Sequence, residues 1–551
     1  MQRPARAPSV NGLLIGALLV AAMVAAPLLS VALSAFTGGT AATWSHLSTT
    51  VLPDYVSSTL VLCAAVGVGV AAVGVGAAWL VTRHEFAGRS SFEWLLVLPL
   101  AMPAYVMAYA YTDLLQYVGP VQSALRRAFG WSRADYWFPD VRSLGGAALM
   151  FTLVLYPYVY LLARTAFLER AGGMIEVGRS LGLTPWQSFV RLSLPLARPA
   201  IAAGVALALM ETLADYGAVS YFGVQTFTTG IYRAWFALGD RAAAAQLSLA
   251  LLAFVVAVLA LERASRGRSR YADASLRSRT EQRLPLTGWR GALATAACTL
   301  PLLLGFVLPA LVLALLATST EPLPVQRFAT LARNSVAVAA LTAVAAVAAA
   351  LLIAYASRAQ RGAAMRAAHR VAGFGYALPG SVIAVGVLIP VTRLDHLLAH
   401  TLRSWVGVDP GLLLTGGIAA LVYACLVRYL TAALQSVDAG LARITPSMDQ
   451  ASRSLGLGAG QTLARVHLPL LRGSVLTAAL LVFIDVMKEL PATLVMRPFN
   501  FDTLATTAYT LASDERLAEA ATPALAIVAV GLGPMVLLCR RIARAAPAAA
   551  A

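Results

Sequence analysis

Long runs of apolar residues, separated by short arginine-bearing stretches, dominate the chain. Twelve runs are long enough to cross a bilayer, which takes about 20 mostly apolar residues each. They fall at 13–36, 57–82, 93–117, 144–168, 197–221, 243–261, 291–317, 334–356, 371–392, 412–434, 473–496 and 521–539. The runs are too continuous for the alternating strands of a membrane barrel. The first follows Arg3 and Arg6 and ends near a possible cleavage site at Ala32–Ala35. It is longer than the 7–15 residues or so of a signal-peptide core, so we read it as an uncleaved helix.

Composition agrees with this pattern. Of the 551 residues, 59% are hydrophobic and 12% charged, and the mean hydropathy is +0.75. A soluble domain carries about 25% charged residues. The net charge of +17 invites a nucleic-acid reading, but basic blocks interleaved with aromatics are absent. The arginines lie between the apolar runs, where they set topology and meet anionic lipid. With the N-terminus in the cytoplasm, 29 of the 42 Lys and Arg residues fall in cytoplasmic segments, 12 fall in the opposite loops, and Lys488 lies within a run. That bias places both termini in the cytoplasm and favours an even number of spans. Cys63, Cys298, Cys425 and Cys539 are dispersed along apolar runs, as small buried hydrophobes are.

The sequence repeats itself. Arg179–Leu183 and Arg453–Leu457 both read Arg-Ser-Leu-Gly-Leu. The offset between these two copies also relates Leu194-Pro195 to Leu468-Pro469, Asp215 to Glu489 and Asp240 to Asp514; Met102-Pro103 matches Leu378-Pro379 at a slightly larger one. The expected architecture is an all-α membrane protein of about twelve transmembrane helices in two parallel six-helix repeats. The first half takes 1–262, an Arg-rich cytoplasmic linker 263–290, and the second half 291–551. Two units with an even number of spans share one orientation, so a solute path would run along the membrane normal between them.

After the fourth run of each half comes a distinctive loop, about 169–196 and 435–470. The first contains Glu176, Gly182, Leu194 and Pro195, the second Gln450, Ala451, Gly456, Leu468 and Pro469. Glycine permits the turn, and proline breaks the backbone pattern before the next span. Both loops resemble the signature of binding-protein-dependent ABC importer permeases: Glu-Ala-Ala, three residues, Gly, nine residues, Ile, one residue, Leu-Pro. Val177 and Gly178 stand in place of its alanines, and Gln450, beside Asp449, in place of its acid. The resemblance implies the type I (MetI-like) permease fold and a helix-in-groove contact with a separate ATPase, a homodimer in the cytoplasm. It also implies a periplasmic substrate-binding protein, a bacterial inner-membrane location and no cofactor. No Gly-x-x-x-x-Gly-Lys-Ser/Thr run occurs, and the chain has one lysine, Lys488; the nucleotide motor must be another chain. No clustered catalytic set suggests an enzyme.

Further stretches, Leu213–Tyr232 and Lys488–Thr506, resemble the fused ferric iron permeases. Thiamine and polyamine permeases share the architecture, and a gradient-driven secondary transporter would also account for the repeat. Charges inside spans are functional by default. Glu211, Asp215 and Tyr216 in the fifth run, and Asp485, Lys488 and Glu489 in the eleventh, are candidates for the path of a hard cation or for an internal lock between helices. His396 and His400 are spaced to share a helix face but have no third ligand, so no metal site is assigned. His467 reads as a surface residue.

Overall fold

The computed structural model describes residues 10–37, 41–266, 283–319, 323–360, 362–375, 378–407 and 411–545. Ten helices among them are long and apolar enough to span a membrane. An eleventh span is a bent pair, Arg89–Ala101 and Ala104–Phe129, turned by 91°. The last helix, Leu517–Ala545, carries a shorter apolar stretch, Leu517–Gly533. Every predicted run therefore finds a helix, but three are broken. The bend in the third run falls at Met102-Pro103, where Met102 is extended (φ −93°, ψ 113°), as the residue before a proline prefers. The fifth and eleventh runs break at Asp215–Tyr216 and at Lys488–Leu490, each followed by a short helix, Gly217–Tyr221 and Pro491–Met496.

The ninth run also shifts. Its helix is Gly380–Val406, so His396 and His400 lie on a helix rather than in a loop. Most of the Arg-rich connector, 267–282, lies outside the described residues. Its far end adds a parallel two-residue bridge, His84–Glu85 with Leu284–Pro285, the only strands among the described residues.

Packing divides the chain into two compact units that interleave along the sequence. One comprises 1–45, 231–249 and 324–507, the other 46–230, 250–323 and 508–551. In the first, helices Val325–Ala359, Ala419–Leu441 and Leu468–Met487 form the core; Val10–Thr37 packs against Val325–Ala359, Ala363–Ala372 and Gly380–Val406. The Tyr423 hydroxyl donates to the Met23 carbonyl at 2.6 Å, joining Val10–Thr37 to this core. In the second, helices Leu52–Arg83, Leu144–Ser180 and Leu194–Ala214 form the core, while Leu308–Ser319 packs against Leu517–Ala545 and Ala104–Leu115. Each core is closed by small residues. A Cβ at Gly74 or Gly204 would stand 2.7 Å from Val159, and one at Gly440 would stand 2.5 Å from the Ser474 hydroxyl. In lipid, such close backbone approach supplies the dispersion that holds helices together.

Candidate functional site: two elbows and the charges of the broken helices

The two signature loops follow one backbone itinerary. In the second unit, helix Leu144–Ser180 ends, Gly182 takes the left-handed conformation (φ +71°), and a short helix Pro185–Ser188 leads into a π-turn, Phe189–Ser193, and helix Leu194–Ala214. In the first unit, helix Pro446–Ser454 ends, Gly456 is left-handed (φ +76°), and Ala459–Thr462 leads into a π-turn, Leu463–His467, and helix Leu468–Met487. The turns and glycines keep the offset of the sequence repeat. A left-handed residue is free of strain only without a Cβ. The π-turns follow from Pro195 and Pro469. A proline in a helix clashes with the carbonyl four residues back; here those residues, Arg191 and Arg465, sit inside the π-turn, which widens the ladder and relieves the clash. Both short helices are started by a glutamine. Gln187 Oε1 accepts from Thr184 N–H (3.0 Å) while Thr184 Oγ1 accepts from Gln187 N–H (3.3 Å), a reciprocal cap. Gln461 Oε1 accepts from Gly458 N–H at 3.2 Å.

Glu176 lies on helix Leu144–Ser180 before the first elbow, Gln450 and Ala451 on helix Pro446–Ser454 before the second. The predicted loop residues thus occupy matching stations. Leu181 and Leu455, just before the glycines, are 65% and 79% exposed.

The expectation that His467 is a surface residue is overturned: it is 1% exposed. Its Nε2 stands 2.7 Å from Asp449 Oδ1 and its ring lies edge-on to Tyr355 at 5.5 Å. The Nε2 approach does not meet hydrogen-bond geometry. Arg358 completes the cluster. Its Nε donates to Asp449 Oδ2 (2.9 Å), Nη1 to the Leu441 carbonyl (2.9 Å) and Nη2 to the Ile444 carbonyl (2.8 Å). One guanidinium thus holds the carbonyls freed where helix Ala419–Leu441 ends, together with the next helix. The His-Leu-Pro segment resembled a solvated loop in sequence; the buried partner came from a distant helix that no local pattern reveals.

The intramembrane carboxylates have a local role as well. Asp215 Oδ1 accepts from Ala218 and Val219 N–H (2.8 and 3.3 Å), capping the short helix after the break. Glu489 Oε1 likewise accepts from Ala492 N–H at 3.0 Å. Free N–H groups at a helix start need such acceptors, most of all away from water. Glu489, 3% exposed, also accepts from the Tyr429 hydroxyl, and Arg428 Nη1 lies 3.1 Å from its Oε2. Lys488 Nζ is 2.9 Å from Asp485 Oδ1, and both side chains are partly exposed. Tyr216 sits at the first break, its hydroxyl 3.4 Å from that of Tyr509. Glu211 lies one turn before Asp215 on helix Leu194–Ala214. His396 and His400 are exposed. No group of three His, Cys, Asp or Glu side chains that could hold a metal occurs among the described residues.

Sequence reasoning missed Asp395. It is fully buried, and its carboxylate accepts from the N–H groups of Leu413, Leu414 and Thr415 at 2.7–3.0 Å, tying the stretch before helix Ala419–Leu441. Three of its donors are consecutive amides with no side-chain signature, and the fourth is the Thr415 hydroxyl at 2.6 Å.

Residues 69–271 match the family described as "Binding-protein-dependent transport system inner membrane component". Among curated relatives, the Fe(3+)-transport system permease protein FbpB 2 of Haemophilus influenzae is 26% identical over 492 residues, 88% of this chain and 90% of that protein. The sulfate transport system permease protein CysT of Escherichia coli is 30% identical over 148 residues, 27% of this chain and 50% of that protein. The molybdenum transport system permease protein ModB of Escherichia coli is 28% identical over 191 residues, 33% of this chain and 80% of that protein. With the duplicated elbows and the long apolar helices, these similarities place a binding-protein-dependent inner-membrane transport domain at residues 69–271 and make the chain, over most of its length, similar to a multi-pass importer permease, a transport subunit of the kind that works with an ATPase and a periplasmic binding protein.

Proposed function

We propose that this permease carries ferric iron, delivered by a periplasmic binding protein and driven by a homodimeric ATPase docked on both elbows. In this reading the halves 1–262 and 291–551, joined by the linker 263–290, are equivalent six-helix repeats with both termini and both elbows in the cytoplasm. Anionic lipid meets the arginines there. The observation that carries the reading is the duplicated elbow. Each copy offers an exposed leucine, Leu181 or Leu455, immediately before a left-handed glycine. An exposed apolar knob at the end of a helix outside the lipid is what a groove on a partner can grip. ATP-driven closure of the partner pushes both knobs, and the push passes through the π-turns into helices Leu194–Ala214 and Leu468–Met487. Those are the helices that break at Asp215 and at Lys488–Leu490.

Iron is favoured by the long similarity to the Fe(3+)-transport permease, which spans most of both chains, where the sulfate and molybdenum permeases match only part of this one. The test is uptake of radioactive iron, molybdate and sulfate by cells carrying this chain with its neighbouring transport genes. ATP-dependent iron uptake, abolished by L181D together with L455D at unchanged membrane level, is expected. Uptake of an oxyanion, thiamine or a polyamine in its place would reassign the substrate. Uptake driven by a proton gradient without the ATPase would reject the importer mechanism.

A further inference from the structure

Within the second unit, five tyrosines gather from three elements: Tyr105 and Tyr109 from helix Ala104–Leu115, Tyr216 and Tyr221 at the broken span, and Tyr509 from helix Leu504–Ser513. Tyr109 packs edge-on to Tyr221 with ring centroids 4.8 Å apart and lies 5.8 Å from Tyr105. The Tyr509 hydroxyl is 3.1 Å from the Ser220 hydroxyl and 3.4 Å from that of Tyr216. Arg142, paired with Glu515 at 2.8 Å, reaches the Tyr221 hydroxyl at 3.3 Å.

One member of this cluster is anomalous. The Tyr109 side chain is 2% exposed, and its hydroxyl has no hydrogen-bond partner among the described residues. A buried hydroxyl left unpaired is destabilising, and buried tyrosines ordinarily find a partner. The fold does not require these aromatics. At the matching repeat positions of the other unit, Tyr109 is replaced by Val385, and Tyr216, Ser220 and Tyr221 by Leu490, Leu494 and Val495. The corresponding span break there carries aliphatic side chains at those positions, although Trp235 stands opposite Tyr509.

We infer that this tyrosine cluster is a contact site for the transported solute, with the phenol oxygens of Tyr109, Tyr216 and Tyr509 as transient ligands to a hard, multiply charged cation. The inference rests on the transport reading above and supplies the substrate-contacting groups that reading lacks. Phenol and carboxylate oxygens suit hard cations. An oxyanion would meet the Asp215 carboxylate, which its helix cap holds in place, and Arg142 is already engaged by Glu515. The absence of a three-carboxylate or histidine cluster among the described residues fits a site of passage, where a ligand must leave as readily as it enters. Binding is ligand exchange without redox change. Each phenol passes its proton to the departing hydroxide or chelator carboxylate as its oxygen–metal bond forms and that ligand's metal–oxygen bond breaks.

The test uses the full chain in lipid nanodiscs, with Fe(III) nitrilotriacetate as probe, and compares the parent with Y109F and with the double variant Y216F/Y509F. A visible phenolate-to-iron charge-transfer band is expected in the parent, and Fe(III) binding about tenfold weaker in either variant. Y109F separates ligand from scaffold: without iron its melting temperature should equal or exceed the parent's, since an unpaired hydroxyl is removed. A lower one would mark a structural role and overturn the inference. Cellular iron uptake distinguishes the two levels. If the parent takes up iron and both variants bind and transport it as well as the parent, the tyrosine site falls and the transport reading stands. If the parent takes up an oxyanion and no iron, both fall.

Discussion

The two elbows share a backbone and differ in what holds them. In the second unit the elbow is packed with aromatic rings: Trp79 lies 4.5 Å from Phe189 and 5.4 Å from Phe167, Trp186 lies 5.4 Å from Phe189, and the Arg83 guanidinium sits over Trp79. In the first unit Tyr355 and His467 take the places of Trp79 and Ser193, and the cement is the Arg358–Asp449 pair with its carbonyl contacts. The itinerary therefore depends on the left-handed glycine and on the proline behind the π-turn, and the neighbouring side chains are interchangeable fillers of very different physics. Ring packing is indifferent to salt and to modest pH change. Charge pairing at a partly exposed site is screened by salt.

That contrast can be broken in several ways, read by amide hydrogen exchange in segments 181–193 and 455–467. The largest effect belongs to Trp79→Ala. Removing a packed tryptophan costs about 3 kcal/mol, so exchange in 181–193 should accelerate about a hundredfold at any salt concentration, with 455–467 unchanged. Equal acceleration in both segments would mean that the elbows are not held separately. Next is Arg358→Ala. A broken buried pair costs about 3–5 kcal/mol; with the side chains of Arg358 and Asp449 20% and 19% exposed, we discount this to about 2 kcal/mol. Exchange in 455–467 should rise and the parent's protection there should weaken in high salt; a salt-independent parent would remove the charge-lock explanation.

The glycines should behave alike despite the different cements. No atom lies within 4 Å of a Cβ built at Gly182 or Gly456, so Gly182→Ala and Gly456→Ala meet only the left-handed backbone penalty, about 1–2 kcal/mol. A twofold disparity in free energy between them would refute the shared itinerary. The smallest effect is pH. His84, at the end of helix Leu52–Arg83, is held below its usual pKa by burial and by Arg83. Its contribution is present above pH 6.5 and is lost as pH falls through the lowered value. His369 is held above its usual pKa, chiefly by its hydrogen bond to Asp438 at 2.9 Å. Its contribution is complete below pH 6.5 and is lost as pH rises through the raised value. Acidification from about pH 7.5 to 5.5 should loosen the Arg83–Phe86 amides and tighten those of Ala363–Ala372. Shifts of the same sign in both would contradict these assignments.

Much of this was legible from residues alone. The constant offset of the repeat placed Gly182 opposite Gly456 and Pro195 opposite Pro469, and the paired π-turns follow from those prolines. The apolar runs located the helices, because lipid leaves no other way to satisfy a spanning backbone. What escaped were long-range partnerships. Arg358 and His467 look like ordinary loop charges until helix packing brings Asp449 to them. The 91° turn at Met102-Pro103 needed more than a proline to foresee, since Pro157 lies inside the continuous helix Leu144–Ser180. The tyrosine cluster was hidden because its members come from segments far apart in the chain.

The interleaving of the compact units bears on biosynthesis. Helix Val10–Thr37 finds its main packing neighbours among residues 324–507, with Gln246 reaching the Ala35 carbonyl near its end. At about 10 residues per second, roughly half a minute of translation separates its emergence from theirs. Through that interval it sits in lipid without its main docking surface, and a ribosome that stalls or terminates early strands it there. Quality control of nascent membrane chains should therefore see this protein as unfinished until its second half has been made.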